Sequence, residues 1–67
     1  MKLLINGDEV NVPDTITTIK GVIGHFNISN PIIIVEHNDA ILEKHEYKKV
    51  KVTNGDKIEL IQFVGGG

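Results

Sequence analysis

Sixty-seven residues make one small domain at most, which excludes any reading that needs two lobes or a deep interior. With 40% hydrophobic residues, 24% charged and a net charge of −2, the composition is that of a folding, globular chain and not a disordered one, and without cysteine it must be held by packing alone. Its seven basic residues are all Lys and are outnumbered by nine acids, so neither a phosphate-binding surface nor Arg-led base readout is present and no nucleic-acid partner is expected.

Leu3, Leu4 and Ile5 lead into Asn6-Gly7, after which Val10 and Val12 alternate with Glu9 and Asn11. Asn-Gly suits a turn whose two central residues both need positive φ, so the first two strands are predicted to form a tight antiparallel hairpin. Pro13 closes the second strand, and Asp14, Thr15, Thr17 and Thr18 offer several helix caps. Ile19, Val22, Ile23 and Phe26 then recur at i, i+3, i+4 and i+7, which predicts a helix with one apolar stripe toward the sheet. Gly21 and Gly24 weaken that helix by about 1 kcal/mol each relative to Ala. Asn27 suits a left-handed cap with Ile28 folding back, and Pro31 stops any continuation.

The run Ile32 to Val35, bounded by Pro31 and Asn38-Asp39, predicts a third strand covered at least partly on both faces. Ala40 to Lys49 has no sustained period and is expected to be loop or a short helical turn, with Tyr47 anchoring it to the core. Val50 and Val52 predict a short fourth strand, joined by a second Asn-Gly pair, Asn54-Gly55, to a last strand through Ile58, Leu60, Ile61, Phe63 and Val64. The plan is α+β: one helix packed across a mixed sheet of four to five strands, matching a β-grasp. The expected division is a β-grasp domain over 1–64 and a flexible glycine tail over 65–67. Neither the short apolar start nor the Ile32 to Val35 run is long enough for a signal peptide or a membrane span, so the expected setting is the cytoplasm, with no membrane partner.

The last strand runs straight into Gly65-Gly66-Gly67. Glycine has no Cβ, so such a tail enters channels too narrow for other residues. Extended at roughly 3.3–3.6 Å per residue, Val64 to Gly67 would carry the last carboxylate about 13 Å beyond the sheet, into a partner's active site. An ionised α-carboxylate is a poor acyl donor and needs activation, for which ATP is the natural reagent. Transfer to the α-phosphate gives a mixed anhydride, which a sulfur nucleophile converts to a thiocarboxylate. The chain has neither a phosphate loop nor cysteine, so ATP and sulfur would both be handled by other proteins, and the expectation is a carrier with no bound cofactor, not an enzyme.

On these residues the chain resembles the ThiS sulfur carriers of thiamin biosynthesis, within the ubiquitin-like β-grasp group. The resemblance spans the whole length. It rests on the Leu-Ile-Asn-Gly hairpin, the threonine-started helix, Ile32-Ile33-Ile34-Val35-Glu36 with Asn38 following, and above all Asp56 through Gly67. It implies that a ThiF-like adenylyltransferase activates the Gly67 carboxylate, that a sulfur-transfer protein delivers sulfur, and that a ThiG-like thiazole synthase receives it. Gly66 and Gly67 match the family's paired terminal glycines, while Gly21 and Gly24 stand where better helix formers are usual. The residues expected to meet partners are Ile61, Phe63, Val64, Gly65 and Gly66.

Strand alternation puts Ile58 and Leu60 on one face and Ile61 and Phe63 on the other. If the first pair packs on the helix, the second lies beside Ile33 or Val35, either as core under a covering loop or as an apolar docking patch. His25, His37 and His45 lack i, i+4 spacing, so no metal site is expected. Glu36, Asp39, Glu43 and Glu46 read as a solvated rim, and Lys44, Lys48, Lys49 and Lys51 as edge-strand blockers or guides to an acidic partner. Two rivals share the tail chemistry: the small molybdopterin-synthase carrier and a ubiquitin-like protein modifier. A rival of another class is a β-grasp binding module, like the regulatory domains of some tRNA synthetases, with a chemically idle terminus.

Overall fold

In a computed structural model, which describes residues 1–26 and 32–62, Asn6 and Gly7 both take positive φ, at 50° and 85°. Two left-handed residues in succession make the hairpin turn that the Asn-Gly pair predicts, and they join β1 (Lys2–Ile5) to β2 (Asp8–Asn11) with Leu3 opposite Val10. Of the several candidate caps it is Thr18 that starts α1 (Ile19–His25): the Gly21 amide donates to its hydroxyl at 3.1 Å. Ile19 and Val22 are fully buried and Ile23 packs beside them, but Phe26 is 37% exposed. The predicted stripe loses its last member because Phe26 is already the C-cap, with ψ near 1°, and has left the spiral that would align it. The expected cap at Asn27 and Ile28 lies outside the described residues.

β3 (Ile32–His37) is followed by a second pair of left-handed residues, Asn38 and Asp39 at φ 50° and 70°, and then by β4 (Ala40–Leu42). Ala40–Leu42, expected as loop or a short helical turn, is therefore a strand. A three-residue edge strand is too short to display alternation, and its Ile41 faces outward at 69% exposure. A single 3₁₀ turn, Lys44–Glu46, follows, closed by the Glu43 amide donating to Glu46 Oε1 at 2.8 Å. Tyr47 packs against the core as expected, and its carbonyl accepts from the Lys20 amide at 2.8 Å.

Val50 and Val52 do not form the predicted fourth strand. Their segment instead pairs with the chain entering α1: the Ile19 amide donates to the Val50 carbonyl, the Val52 amide to the Thr17 carbonyl, and Lys51 forms one bridge with Thr18. Consequently Asn54-Gly55 closes no hairpin. Only Gly55 is left-handed, at φ 90°, and the turn delivers the chain to the open side of β1, where Gly55 donates to the Lys2 carbonyl and Lys2 to Asn54 Oδ1.

The last element, β5 (Lys57–Gln62), enters the middle of the sheet. The strand order is β2-β1-β5-β3-β4, with β5 parallel to β1 and antiparallel to β3, so the mixed five-stranded sheet with one helix is a β-grasp as predicted. Leu3, Val12, Ile19, Val22, Val35, Val52, Ile58 and Leu60 form the core between sheet and helix. Ile58 and Leu60 thus face the helix. Val35 is opposite Leu60 and fully buried, so the neighbour of Ile61 on the outer face is Ile34, not Ile33 or Val35. Among the described residues no helix is long and apolar enough to cross a membrane.

Candidate functional site

The sequence places all its tail chemistry beyond the far end of β5, a strand that is held at both of its ends. At its start, Asn38 turns its side-chain oxygen to the Lys57 amide at 2.9 Å while its own amide donates to the Lys57 carbonyl at 2.8 Å. Beside it, Asp56 accepts from His37 Nε2 at 2.7 Å, from the Thr53 amide and hydroxyl at 2.9 and 3.0 Å, and from Asn38 Nδ2 at 3.2 Å. Burial pushes the Asp56 carboxyl up, but the bonds from His37, Thr53 and Asn38 outweigh it and hold the pKa at about 2. Lys57 pairs with Asp39 at 2.6 Å, and that carboxylate raises the lysine's pKa. The entry to β5 is therefore a pinned polar knot.

At the other end, Asn6 performs a matching task on the β1 side. The Leu60 amide donates to Asn6 Oδ1 at 2.8 Å and Asn6 Nδ2 donates to the Leu60 carbonyl at 3.3 Å. In the sequence Asn6 and Asn38 stand out only as turn residues. The one available signal was the choice of Asn, whose carboxamide bonds backbone both ways.

The outer face of the sheet carries Leu4, Ile34, Ile41 and Ile61, with Leu4 37% and Ile61 43% exposed. Ile34 and Ile61 are directly opposite one another, and two residues along the ladder, on the same face, Glu36 is opposite Glu59, so an apolar pair borders a pair of like charges. Of the sequence-selected partner residues, Ile61 is therefore outward-facing and uncovered within the described residues. Phe63, Val64, Gly65, Gly66 and Gly67, with the 64/65 division, lie outside the described residues.

Glu43, His45 and Glu46 bring ligand atoms within 4.8 Å of one another, a grouping that spacing alone did not reveal. Glu46, half-buried, already closes the 3₁₀ turn, and His45 Nδ1 lies 3.5 Å from Glu43 Oε2 with both of those residues exposed, which is the arrangement of a capped turn. Lys44, Lys48, Lys49 and Lys51 are exposed, but none lies on a strand, so their expected role as edge blockers does not hold.

Residues 3–67 match the ThiS family, a stretch that includes β5 and runs on through Gly67. The chain belongs to that family. It is 37% identical over 65 residues to the sulfur carrier protein ThiS of Bacillus subtilis, covering 97% of this chain and 98% of that protein. It is 39% identical over 67 residues to a thiazole synthase of Paramagnetospirillum magneticum, of which it spans only 20%. The crystal structure of the thiamine biosynthesis protein ThiS from Geobacter metallireducens superposes over the full length of both chains with a TM-score of 0.82 at 26% identity. ThiS relatives thus occur both as chains of this size and as a stretch within a longer synthase.

Proposed function

We propose that this chain is a sulfur carrier of thiamin biosynthesis whose Gly67 carboxylate is the carrying group. The observation that carries the reading is the ThiS match extending through Gly67, on a chain nearly coextensive with a ThiS protein. A carboxylate oxygen of Gly67 attacks the α-phosphorus of ATP in the active site of a ThiF-like partner, and pyrophosphate leaves. The outer sulfur of a persulfide on a sulfur-transfer protein then attacks the acyl carbon and AMP leaves; a thiol cleaves the resulting acyl disulfide, forming a disulfide with the transfer protein's cysteine and freeing the thiocarboxylate, so one oxygen is exchanged for sulfur. ATP is consumed by the partner, in the cytoplasm, and no cofactor stays with the carrier.

The carrier's own contribution is docking and delivery. Ile61 and Ile34, bordered by Glu36 and Glu59, fit a partner surface that is apolar and rimmed by basic groups. Phe63, Val64, Gly65 and Gly66 then thread toward the adenylating centre. The similarity to a thiazole synthase that contains a stretch like this chain supports a ThiG-like synthase as recipient of the sulfur.

Incubation with the adenylating partner, ATP and a sulfur donor should change the intact mass by one oxygen-to-sulfur exchange, confined to the peptide ending in Gly67. Deleting Gly67 should abolish the exchange without altering the unfolding transition. An unchanged mass in the intact protein would overturn the reading, and a lysine-linked adduct would replace it with a protein modifier.

A further inference from the structure

Asn6 is bonded to the tail-bearing strand in a way that the turn alone does not require. β1 runs parallel to β5, and its amides donate in sequence, Leu4 to the Asp56 carbonyl at 2.9 Å and Asn6 to the Ile58 carbonyl at 3.0 Å. A β1 strand that continued would next offer Leu60 an acceptor and then a donor. The chain instead folds back at Asn6-Gly7 into β2, so no backbone is left to pair with Leu60 on this side. The Asn6 carboxamide supplies both missing groups, accepting from the Leu60 amide and donating to its carbonyl.

We propose that Asn6 is a positioning residue for the chemistry at Gly67: by holding the Leu60 peptide it fixes the direction in which β5 leaves the sheet. The inference rests on the sulfur-carrier reading above. Leu60 is anchored inward by its buried side chain and sideways by Asn6, and immediately after it Ile61 faces outward toward the docking surface. Gly67 follows Leu60 by seven positions, and among the described residues Leu60 is the last peptide of β5 held from the β1 side, so loss of that hold would misplace the start of the segment that carries the reacting carboxylate. Reaction rates are sensitive to misplacements of that kind, whereas docking through the outer face is not.

The structure also provides its own control. Asn38 shares the left-handed conformation at φ 50° and bonds the same strand, but at Lys57, the end away from the tail. Asn6→Gly and Asn38→Gly both keep a residue that tolerates positive φ and both delete a carboxamide that holds β5.

The test measures adenylate formation on the full-length carrier by the adenylating partner with ATP, as pyrophosphate release, together with hydrogen exchange at the Leu60 amide and the unfolding temperature. Asn6→Gly should speed Leu60 exchange and lower kcat about tenfold, with KM for the carrier changed less than about twofold. Asn38→Gly should leave both kinetic constants within about twofold even where its unfolding temperature falls as far. If Asn6→Gly does not fold, Asn6→Asp keeps the turn and the acceptor, loses the donor to the Leu60 carbonyl, and should show the same fall in kcat. Wild-type turnover with an unaffected kcat in the folded Asn6 variant, or equal losses at Asn6 and Asn38, would overturn the positioning role alone. No adenylation of the wild type would overturn the carrier reading and this inference with it.

Discussion

His37 Nε2 donates to Asp56 Oδ2 at 2.7 Å, with the two side chains only 17% and 13% exposed, and this pair anchors the end of the sheet from which β5 starts. A carboxylate only accepts, so the facing ring nitrogen carries the proton.

Acid stability follows from Asp56. Its pKa of about 2 in the folded chain lies below the unfolded value, so the stability it contributes is complete above that unfolded value, near ~3.9, and is lost as pH falls through the folded one. The denaturation midpoint should hold steady above pH ~5 and fall between pH ~4 and ~2, with about 1–2 kcal/mol of the loss belonging to Asp56 after solvent screening. Asp56→Asn should be less stable at neutral pH and show a shallower acid slope. An unchanged slope would assign the effect to other carboxylates, such as Asp14, which the N-terminal ammonium holds low by hydrogen bond and charge.

The core makes a second prediction. Ile19 and Ile58 are both fully buried, one on the helix and one on the central strand. Ile→Ala at either should cost about 2–5 kcal/mol, comparable to the whole stability of a domain this small, and the cooperative thermal transition should disappear. Phe26→Ala should leave that transition in place, because the ring is 37% exposed and sits at the helix end, edge-on to His25. Equal damage at Phe26 and Ile19 would restore the four-residue stripe read from the sequence.

The contrast between these residues shows what local pattern encodes. The hairpin at Asn6-Gly7, the helix and the shared face of Ile58 and Leu60 were legible because each rests on a turn chemistry or a period that acts within a few residues. Asn54-Gly55 carried the same dipeptide signal and misled, since its partner strand is not Val50–Val52 but β1, fifty residues earlier, reached through Lys2. β4 was missed because three residues at an edge show no alternation. Of the candidate site, Ile61 was legible as the outward member of its strand. The roles of Asn6 and Asn38 were not, because bonds to Leu60 and Lys57 span 54 and 19 residues and leave no periodic trace.

The two helix glycines should respond differently to alanine. Among the described residues a Cβ at Gly24 meets nothing within 4 Å, so Gly24→Ala should stabilise the domain by about 0.5–1 kcal/mol through helix propensity. At Gly21 the Cβ would lie 3.3 Å from Ile16 Cγ2 and 3.5 Å from the capping Thr18 hydroxyl. Gly21→Ala should therefore gain less than half as much, because crowding at the cap offsets the propensity. Unfolding temperatures of the two variants, measured side by side, check this, and a larger gain at Gly21 would mean that Ile16 moves aside freely.

The outer face should control docking without controlling folding. Ile61→Thr keeps a β-branched residue on the central strand and removes apolar surface that is already 43% exposed, so stability should change by less than about 1 kcal/mol. Affinity for the adenylating partner, measured by calorimetry, should fall about tenfold, equivalent to ~1.4 kcal/mol, because on the proposed reading the opposed Ile61 and Ile34 supply the apolar contact. In turnover the same variant should raise KM for the carrier and leave kcat near that of the wild type, the reverse of the pattern expected for Asn6→Gly. Asn6 holds β5 at Leu60 and Ile61 is the next residue of that strand, yet the first substitution should act on aim and the second on grip. If Ile61→Thr bound as tightly as the wild type, the docking surface would have to lie elsewhere on the domain.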